Sequence, residues 1–279
     1  MQVRASWIGS TGRVLSTEQL EQFWHNGFVL GSRVVGNEEL ETLKNEVLRV
    51  VNDAQNEVER ERRPVAVSNM GQSGAPVWQI VNIWEGSEAF EHVVGNAVLA
   101  EEVAQLLNGK EVRLFHDQIQ FKPAATGGVN MWHQDSPYWP ILTPKDVQLT
   151  AWVALDDADE DNGCMSMVKG SNRWGDQIDE LHQLKSWEGM PSQWRGHNIE
   201  IAPCPVPAGW VHFHHPLTWH GSPANKSGRP RRALALHFMS DEAKFVGAKR
   251  ALHPMGQFFE GEDGETVRGD HFPLVWPRR

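Results

Sequence analysis

The sequence predicts a single, mainly β domain with flanking α-helices, in which a helical N-terminal third packs on a β-sandwich or barrel core. From about residue 111, short apolar or alternating runs such as VQLTAWVAL and RRALALHFM are separated by Gly, Pro and Asn, which is typical of strands joined by turns. Before that point, apolar residues recur at helical spacing. No repeat or low-complexity linker divides the 279 residues, so one domain is expected.

The first elements follow from local signals. Residues 1–14 are expected to form an irregular arm. Ser16 and Gln19 match a capping box, in which each side chain accepts a hydrogen bond from the backbone of the other residue. A helix is therefore expected to begin at Ser16 and to end at Gly27, and residues 28–30 are expected to form a short strand.

The next elements are assigned in the same way. Asn37 is expected to cap a second helix, because leucine and valine recur at helical spacing after it. Residues 65–76 are expected to form a loop and residues 88–108 a further helix. Within the β-rich part, residues 170–198 are expected to form a long loop.

Composition excludes several classes of function. A net charge of −10 argues against nonspecific nucleic-acid binding, which requires clustered cations. Two cysteines provide neither a disulfide framework nor a four-thiolate zinc site. No apolar run resembles a signal peptide or a membrane span. A cytoplasmic enzyme is expected, and the sequence gives no indication of the oligomeric state.

The stretch MWHQDSPYWP contains a metal-binding pattern. His133 and Asp135 are two residues apart, and side chains at this spacing on an extended strand point to the same face. An imidazole and a carboxylate that converge supply two thirds of the facial triad of two histidines and one carboxylate, which leaves positions on iron open for oxygen chemistry.

His220 is the best candidate for the second histidine. An arginine, Arg231, enters a predicted strand eleven residues after it, and the guanidinium group pairs with a carboxylate through two hydrogen bonds. His212, His214 and His215 form a rival cluster, but none has an arginine at that spacing. One of these three is expected to line the site rather than to bind metal.

These residues resemble the phytanoyl-CoA dioxygenase family of Fe(II)- and 2-oxoglutarate-dependent oxygenases. The resemblance rests on three elements in order: the motif 133–135 followed by aromatic residues and proline, the segment 162–164 running into the turn 168–172, and the motif 220–222 with its following arginine. It covers about residues 15–240. Asn172 stands where the family usually has a histidine, outside the presumed metal ligands.

The family resemblance implies a double-stranded β-helix, or jelly roll. Under this interpretation residues 1–279 form a single dioxygenase domain. Residues 15–110 form a helix-rich support, residues 111–240 the jelly-roll core and residues 241–279 a C-terminal extension.

The resemblance also assigns roles to individual residues. His133, Asp135 and His220 match the iron ligands, and Arg231 matches the residue that pairs with the C5 carboxylate of 2-oxoglutarate. Arg229 and Arg232 are near rivals for that pairing. Ser222 matches a hydroxyl that helps to hold the same carboxylate.

For several further candidates, a purely structural role in a strand or in the core is as well supported as a functional one. Gln118 and Trp152 fall at positions that often line the cosubstrate pocket, and Asn82 or Gln79 could add a polar contact. Tyr138, Trp139 and Trp210 could shape the substrate pocket. Lys169 and Arg173 lie on a predicted turn, where they are expected to be solvated.

The reaction implied by the resemblance consumes O₂ and 2-oxoglutarate and releases succinate and CO₂. A small-molecule substrate is hydroxylated, or else desaturated, cyclised or epoxidised. Related halogenases have a small residue in place of the carboxylate ligand, so Asp135 predicts that this chain does not halogenate.

Two alternatives of other classes remain open. One is a non-oxygenase metal enzyme, a hydrolase or isomerase, in which Arg231 would have no evident purpose. The other is a catalytically inactive binding module, although the chain retains all three candidate ligands. A serine hydrolase is disfavoured because no G-x-S-x-G motif is present, and no G-x-G-x-x-G motif or P-loop indicates a nucleotide site.

Overall fold

The computed structural model describes residues 15–70, 74 and 76–277, so the arm predicted for residues 1–14 lies outside the described residues. The helices are α1 Thr17–Asn26, α2 Asn37–Gln55, α3 Ile83–Gly86, α4 Glu88–Val94, α5 Ala97–Leu107 and α6 Ile178–Leu181. The strands are β1 Phe28–Arg33, β2 Ala66–Asn69, β3 Trp78–Val81, β4 Val112–Lys122, β5 Asn130–His133, β6 Leu142–Thr143, β7 Gln148–Ala154, β8 Met165–Val168, β9 Gln193–Trp194, β10 His197–Asn198, β11 Ile201–Cys204, β12 Trp210–His214, β13 His220–Ser222, β14 Arg231–Ser240, β15 Lys244–Phe245 and β16 Leu274–Trp276.

Helix α1 begins and ends where the sequence predicts. The Ser16 hydroxyl accepts a hydrogen bond from the Gln19 backbone, and the Gln19 side chain accepts one from the Ser16 backbone. Gly27 ends the helix with a φ of +90°, a conformation that favours glycine. A Cβ at this position would also collide with the Thr218 side chain. The helix therefore turns tightly into β1 beside the loop that leads to β13.

The other N-terminal assignments need correction at their boundaries. The cap of α2 is Gly36, and Asn37 is the first helical residue. The helix predicted for residues 88–108 is in fact two helices. Helix α4 ends before Gly95, and the Asn96 side chain then caps α5 by accepting a hydrogen bond from the Leu99 N–H. The predicted loop 65–76 begins with strand β2, which pairs with β3; part of that loop lies outside the described residues.

Eight of the strands form the largest antiparallel sheet of the described residues, which we call the major sheet. Its order is β1-β12-β7-β14-β4-β3-β2, and β16 also pairs with β4. The N-terminal third thus contributes β1, β2 and β3 to the sheet besides its helices. Alternate residues such as Ile119 and Leu234 point to the outer face, where they pack with Leu43 of α2 and Leu99 of α5 in one buried cluster.

A four-stranded sheet, which we call the minor sheet, has the order β11-β8-β13-β5. A second buried cluster joins Trp152 and Ala235 of the major sheet to Met165 and Met167 of the minor sheet. This cluster fills the space between facing sheets, as the predicted sandwich requires. In the described part of the chain, no helix has both the length and the apolar character needed to cross a membrane.

Candidate active site

Cross-strand register places polar side chains together on the inner face of the major sheet. In β4 and β14, Lys122 is paired with Arg231 and Gln120 with Ala233. Directly paired residues point to the same side of a sheet, and so does every second residue along each strand. The partners of Ala233 and Arg231 therefore lie on the face that contributes Trp152 and Ala235 to the intersheet cluster. Polar groups therefore lie beside apolar ones on the inner face of the major sheet.

His133, Asp135 and His220 converge at one end of this interior. His133 ends β5 and is paired in register with His220, which begins β13. The Asp135 Oδ1 atom lies 3.7 Å from His133 Nε2 and 3.5 Å from His220 Nε2. One ligand atom from each residue lies within 4.8 Å of the others, and these three form a group that could hold a metal ion.

Asp135 reaches this position by a route that differs from the predicted one. Strand β5 ends at His133, and Asp135 adopts a helical conformation that begins the turn Ser136–Tyr138. Its backbone N–H donates to the Pro216 carbonyl, which ties the turn to the chain just before β13. Convergence therefore comes from this turn and not from strand alternation.

Hydrogen bonds fix the orientation of each ligand group. The imidazole Nδ1 atoms of His133 and His220 lie 2.7 Å and 3.0 Å from the carbonyl oxygens of Met131 and Thr218. These acceptors assign the proton of each ring to Nδ1, so each Nε2 lone pair faces the Asp135 carboxylate. Partners of this kind set the tautomer and the ring orientation of metal-binding histidines.

The second carboxylate oxygen of Asp135 is held by the protein. Thr150 Oγ1 donates to Asp135 Oδ2 at 2.6 Å, and His214 Nε2 lies 2.9 Å from the same atom. His237 Nδ1 lies 2.9 Å from Thr150 Oγ1; because the hydroxyl proton is directed at Asp135, His237 donates here. With Oδ2 engaged on the protein side, Oδ1 is left for a metal.

The charges of the triad suit metal binding. Burial raises the pKa of Asp135, but the imidazoles of His220 and His214 outweigh this effect and hold the pKa well below its ordinary value. Burial lowers the pKa of His133 to about 4, reinforced by His220, and burial likewise lowers the pKa of His220 to about 4. At neutral pH the site therefore has one carboxylate and two uncharged imidazoles, which are the protonation states that ligands require.

Buried histidines should make the metal-free chain sensitive to acid. Burial holds the pKa at about 4 for His133, His215, His220 and His253, and at about 3 for His212 and His237. An unfolded histidine titrates near 6.5, so the unfolded chain binds more protons between about pH 6.5 and 4. We expect the free energy of unfolding to fall by about 1.4 kcal/mol per pH unit for each such histidine as the pH drops through this window.

Two buried carboxyls oppose this trend. Burial raises the pKa of Asp117 to about 7 and also raises the pKa of Glu102, so their contributions fall as the pH rises and have the opposite sign. Because six histidines outnumber these two groups, the net slope should remain positive. Urea denaturation at pH 7, 6 and 5 measures it, with His212→Gln expected to reduce the slope by about one proton. Equal unfolding free energies at pH 7 and pH 5 would contradict the prediction.

Arg231 differs from its neighbours in having no carboxylate partner. Arg229 pairs with Asp159 at 2.7 Å and Arg232 with Asp156 at 2.7 Å. Among the described residues no such pair forms with Arg231, which is fully buried and has no partner at Nε or Nη1. The rivals are thus already neutralised, and Arg231 is the arginine available to an anion.

The surroundings of Arg231 include two further predicted residues. Its Nη2 atom donates to Ser222 Oγ at 3.3 Å. Its guanidinium carbon lies 5.4 Å from the centre of the Trp152 ring. Burial lowers the pKa of Arg231 to about 10, so it remains charged at neutral pH. Arg231, Ser222 and Trp152 therefore form one cationic corner on the inner face.

The other predicted residues lie in different places. Gln118 is on the inner face of β4, but Gln120 lines the cavity beside the triad and Gln118 does not. Gln79 of β3 is paired in register with Gln120 of β4. Asn82 is buried and accepts a hydrogen bond from the Asp117 backbone. Gln120 therefore lies closer to the role that was predicted for Gln118.

The aromatic candidates separate in the same way. Trp139 is buried in a cluster with Phe115, and Trp210 packs at the edge of the intersheet cluster. Tyr138 is exposed, and its ring centre lies 6.2 Å from that of His133. Tyr138 Oη lies 2.7 Å from His182 Nε2, on the segment predicted as a long loop. Of the aromatic candidates, Tyr138 is the one at the entrance to the site.

The polar groups that complete the site were not anticipated. Thr150, Asn130 and Gln120 line the cavity together with His214, which was expected only as one member of a cluster of three. Alternation from Gln118 was the available signal for Gln120 and Lys122. Thr150 and Asn130 have no signal of their own, because only strand pairing brings them to the triad.

A family model described as phytanoyl-CoA dioxygenase (PhyH) matches residues 23–233. The chain belongs to the phytanoyl-CoA dioxygenase family. The predicted resemblance is thereby confirmed, and the chain is an Fe(II)- and 2-oxoglutarate-dependent dioxygenase. The jelly-roll interpretation is confirmed as well, since the solved structure of the epimerase SnoN superimposes with a TM-score of 0.73 at 22% identity, covering 92% of this chain and 97% of that chain.

The relatives of this chain include enzymes that are named for different substrates. The human peroxisomal phytanoyl-CoA dioxygenase is 24% identical over 255 residues, which cover 85% of this chain and 72% of the relative. The ectoine dioxygenase of Bordetella bronchiseptica is 28% identical over 260 residues, which cover 88% of this chain and 82% of the relative. Family membership therefore leaves the substrate undetermined.

Proposed function

We propose that His133, Asp135 and His220 hold Fe(II), that Arg231 and Ser222 bind the distal carboxylate of 2-oxoglutarate, and that the enzyme hydroxylates a small molecule. One observation carries this proposal: a buried arginine without a carboxylate partner lies on the same inner face as three converging ligand atoms. A metal site alone would not need the arginine, and an anion site alone would not need the triad.

The donor set fits Fe(II). Two neutral imidazole nitrogens and one carboxylate oxygen form the facial arrangement that is typical of non-haem iron oxygenases. The side chain of His133 is 20% exposed, against 11% for Asp135 and 6% for His220. Because His133 is the most exposed of the three, a substrate would reach the site from the side of His133 and Tyr138.

The cationic corner fits the cosubstrate. The guanidinium group of Arg231 has two nitrogen atoms, Nε and Nη1, without partners, and a buried cation in this condition requires an anion. The solved complex of SnoN contains Fe³⁺ and alpha-ketoglutarate, which supports the proposal that this chain binds iron and 2-oxoglutarate together. Gln118 and Trp152 are proposed to wall the cosubstrate pocket, together with Gln120.

When bound, iron with 2-oxoglutarate and O₂ would supply the oxidising chemistry needed to hydroxylate a C–H bond, with succinate and CO₂ as coproducts. The chain's own residues position the reactants and exclude water. Thr150 and His214 keep Asp135 in one orientation. Trp152 covers the guanidinium group, and Tyr138 with His182 narrows the entrance.

Small molecules are the substrate class best supported by the relatives. The relative ectoine dioxygenase is named for a small molecule, and the structure of SnoN was solved in complex with nogalamycin RO. Hydroxylation is proposed over desaturation or cyclisation, and the cytoplasmic location stays a prediction from the sequence. The single domain divided at about residues 110 and 240 is likewise proposed.

Two measurements test the function. Anaerobic calorimetry should detect Fe(II) binding and then 2-oxoglutarate binding that depends on the metal. Succinate release should then be screened over a library of metabolites, with a mass increase of one oxygen atom as the sign of hydroxylation. Absence of both binding events in folded protein would overturn the proposal. Turnover with another divalent metal and without succinate would favour the non-oxygenase alternative.

The proposed orientation of Asp135 predicts the effect of Thr150→Val. This change removes one hydroxyl and keeps the shape of the side chain, so Asp135 Oδ2 loses its 2.6 Å hydrogen bond. Mutation of a residue that orients a metal ligand typically lowers metal affinity by about 10- to 100-fold. We expect Thr150→Val to lower Fe(II) affinity by an amount in this range. Calorimetry measures it, with the exposed Thr42→Val as the control. Unchanged Fe(II) affinity would show that Thr150 does not orient the ligand.

A further inference from the structure

His116 and His237 form a buried histidine pair near the triad, and the proposed function uses neither ring as a binding group. The two residues are paired in register across β4 and β14, and their ring centres lie 4.5 Å apart. Burial lowers the pKa of His237 to about 3 and holds the pKa of His116 well below its ordinary value. Both rings are therefore uncharged at pH 7, and each has one nitrogen that can only accept a hydrogen bond.

The contacts of the two rings identify the nitrogen that accepts. His116 Nδ1 lies 3.3 Å from the Asp117 carbonyl oxygen, so the ring proton is on Nδ1, and the buried Nε2 atom has no partner among the described residues. His237 donates from Nδ1 to Thr150, which leaves its lone pair on Nε2. A buried acceptor without a donor costs free energy. His116 therefore requires a donor that the described part of the chain does not supply.

A β-bulge in β4 gives His116 its inward direction. His237 is paired with His116, but the next residue of β14 is paired with Leu114, which leaves Phe115 as the extra residue of the bulge. The rings of Phe115 and His116 each lie 5.9 Å from the Trp139 ring, so two consecutive side chains point to the inner face. Bulges redirect side chains in this way and are frequent beside active sites.

The histidine pair adjoins the triad and lies apart from the cationic corner. His237 lines the same cavity as the three triad residues. Its hydrogen bond to Thr150 places it two hydrogen bonds from Asp135. Arg231 begins β14 on the same face, about 20 Å away along the strand. A molecule that contacts the pair would therefore reach the triad without occupying the corner.

We propose that His116 and His237 form a substrate subsite that accepts hydrogen bonds from a hydroxyl or a protonated amino group. This inference rests on the proposed function, because it assumes that a small molecule is oxidised beside the iron. The substrate class is then a small molecule with an O–H or N–H donor near the C–H bond that reacts. A saturated hydrocarbon chain at this place would leave buried acceptors unpaired. A site that is built for a hydrogen bond discriminates strongly against a group that lacks it.

Small probes test the subsite before the substrate is known. Nitrogen NMR of labelled histidines is measured with 2-oxoglutarate bound and with Zn(II), which is diamagnetic, in place of Fe(II). Methanol and methylammonium donate hydrogen bonds, whereas acetonitrile is of similar size and only accepts them. We expect at least one donor to shift the Nε2 resonances of His116 and His237 upfield until saturation, and the stronger donor distinguishes a hydroxyl from an amino group. Unchanged resonances would mean an ordered water only, and an equal response to acetonitrile would mean a general solvent effect; either result would overturn the proposal.

Succinate release gives the functional test. Each compound that supports succinate release is compared with analogues in which one hydroxyl or amino group is replaced by hydrogen. For at least one such group, kcat/KM should fall about tenfold or more in the wild type, because a buried acceptor loses its donor. The fall should be much smaller in His116→Phe, which keeps a ring and lacks the acceptor. Equal losses in both proteins, or a substrate without any O–H or N–H group, would overturn the proposal.

Further variants keep the result interpretable. His237→Asn removes Nε2 but keeps a side-chain N–H for Thr150, and it should show the same loss of discrimination if His116→Phe does not fold. His253→Asn is the matched control, because the His253 ring lies 5.2 Å from that of His116 while its Nδ1 already accepts from the Met255 N–H. It should discriminate like the wild type, and loss of discrimination there as well would overturn the proposal. Wild-type protein that binds neither Fe(II) nor 2-oxoglutarate would instead refute the proposed function.

Discussion

Asp135→Ala is expected to abolish succinate release and to reduce Fe(II) affinity by about 150- to 4,000-fold. Asp135 is the only negatively charged member of the triad, and both imidazoles have a lowered pKa and are neutral at pH 7. Removing one partner from a buried charge pair costs about 3–5 kcal/mol, which corresponds to that range of binding constants. Anaerobic Fe(II) calorimetry and a succinate assay on the same sample measure the two losses.

Two variants separate the loss of charge from a loss of structure. Asp135→Asn keeps an acceptor for the Thr150 hydroxyl but has no charge, so it should fold like the wild type and still lose Fe(II) affinity. Asp161→Ala removes an exposed carboxylate from a turn outside the site and should change neither measurement. If Asp135→Ala bound Fe(II) and released succinate like the wild type, the carboxylate would not be a ligand.

The grouping of His133, Asp135 and His220 could be predicted from the sequence because it consists of two local patterns that the family resemblance joins. His133 and Asp135 are near neighbours, and Arg231 follows His220 at a fixed distance on the next strand along the chain. Even so, the stated reason for convergence was wrong, since Asp135 lies in a turn beyond the end of β5. The short separation placed both groups in one volume despite the different backbone.

The groups around the triad could not be predicted in the same way, because they depend on strand pairing. Thr150 reaches Asp135 from β7, and Lys122 reaches Ser222 across about a hundred residues of sequence. A one-residue change of register would send either side chain to the outer face. The hydrophobic alternation in a single sequence predicts that strands are present. It does not predict which strands pair, as β4, β7, β12 and β14 do here.

The same limit explains the misassigned elements. Residues 88–108 form one apolar pattern, and only the capping role of Asn96 shows that two helices meet there. Strand β2 is four residues long and depends on its pairing with β3. Strand β16 lies in the predicted C-terminal extension yet pairs with β4. For β2 and β16 the pairing with another strand decides the structure, whereas the cap at Asn96 is a local signal that the apolar pattern obscures.

Arg231→Met should raise the Kd for 2-oxoglutarate by about 30-fold or more and leave Fe(II) affinity unchanged. Loss of one partner from a buried, hydrogen-bonded charge pair costs about 2–5 kcal/mol, and the lower end of that range is about 30-fold. Methionine fills much of the same volume without a charge. Calorimetry with Fe(II) protein measures both constants, and the succinate assay should show a higher requirement for 2-oxoglutarate with little change in rate at saturation.

Arg229→Met is the matched control, because Arg229 lies two residues away in an exposed pair with Asp159 and such pairs contribute about 0–1 kcal/mol. Stability gives a second, independent readout. In the ligand-free protein Arg231 is a buried charge without a carboxylate, so Arg231→Met should melt at the same temperature as the wild type or higher. The wild type should gain stability from 2-oxoglutarate, since a ligand that binds only the folded state raises the melting temperature, whereas Arg231→Met should gain little. A variant that melted lower without ligand but kept the full stabilisation by 2-oxoglutarate would show that Arg231 supports the fold and does not bind the cosubstrate.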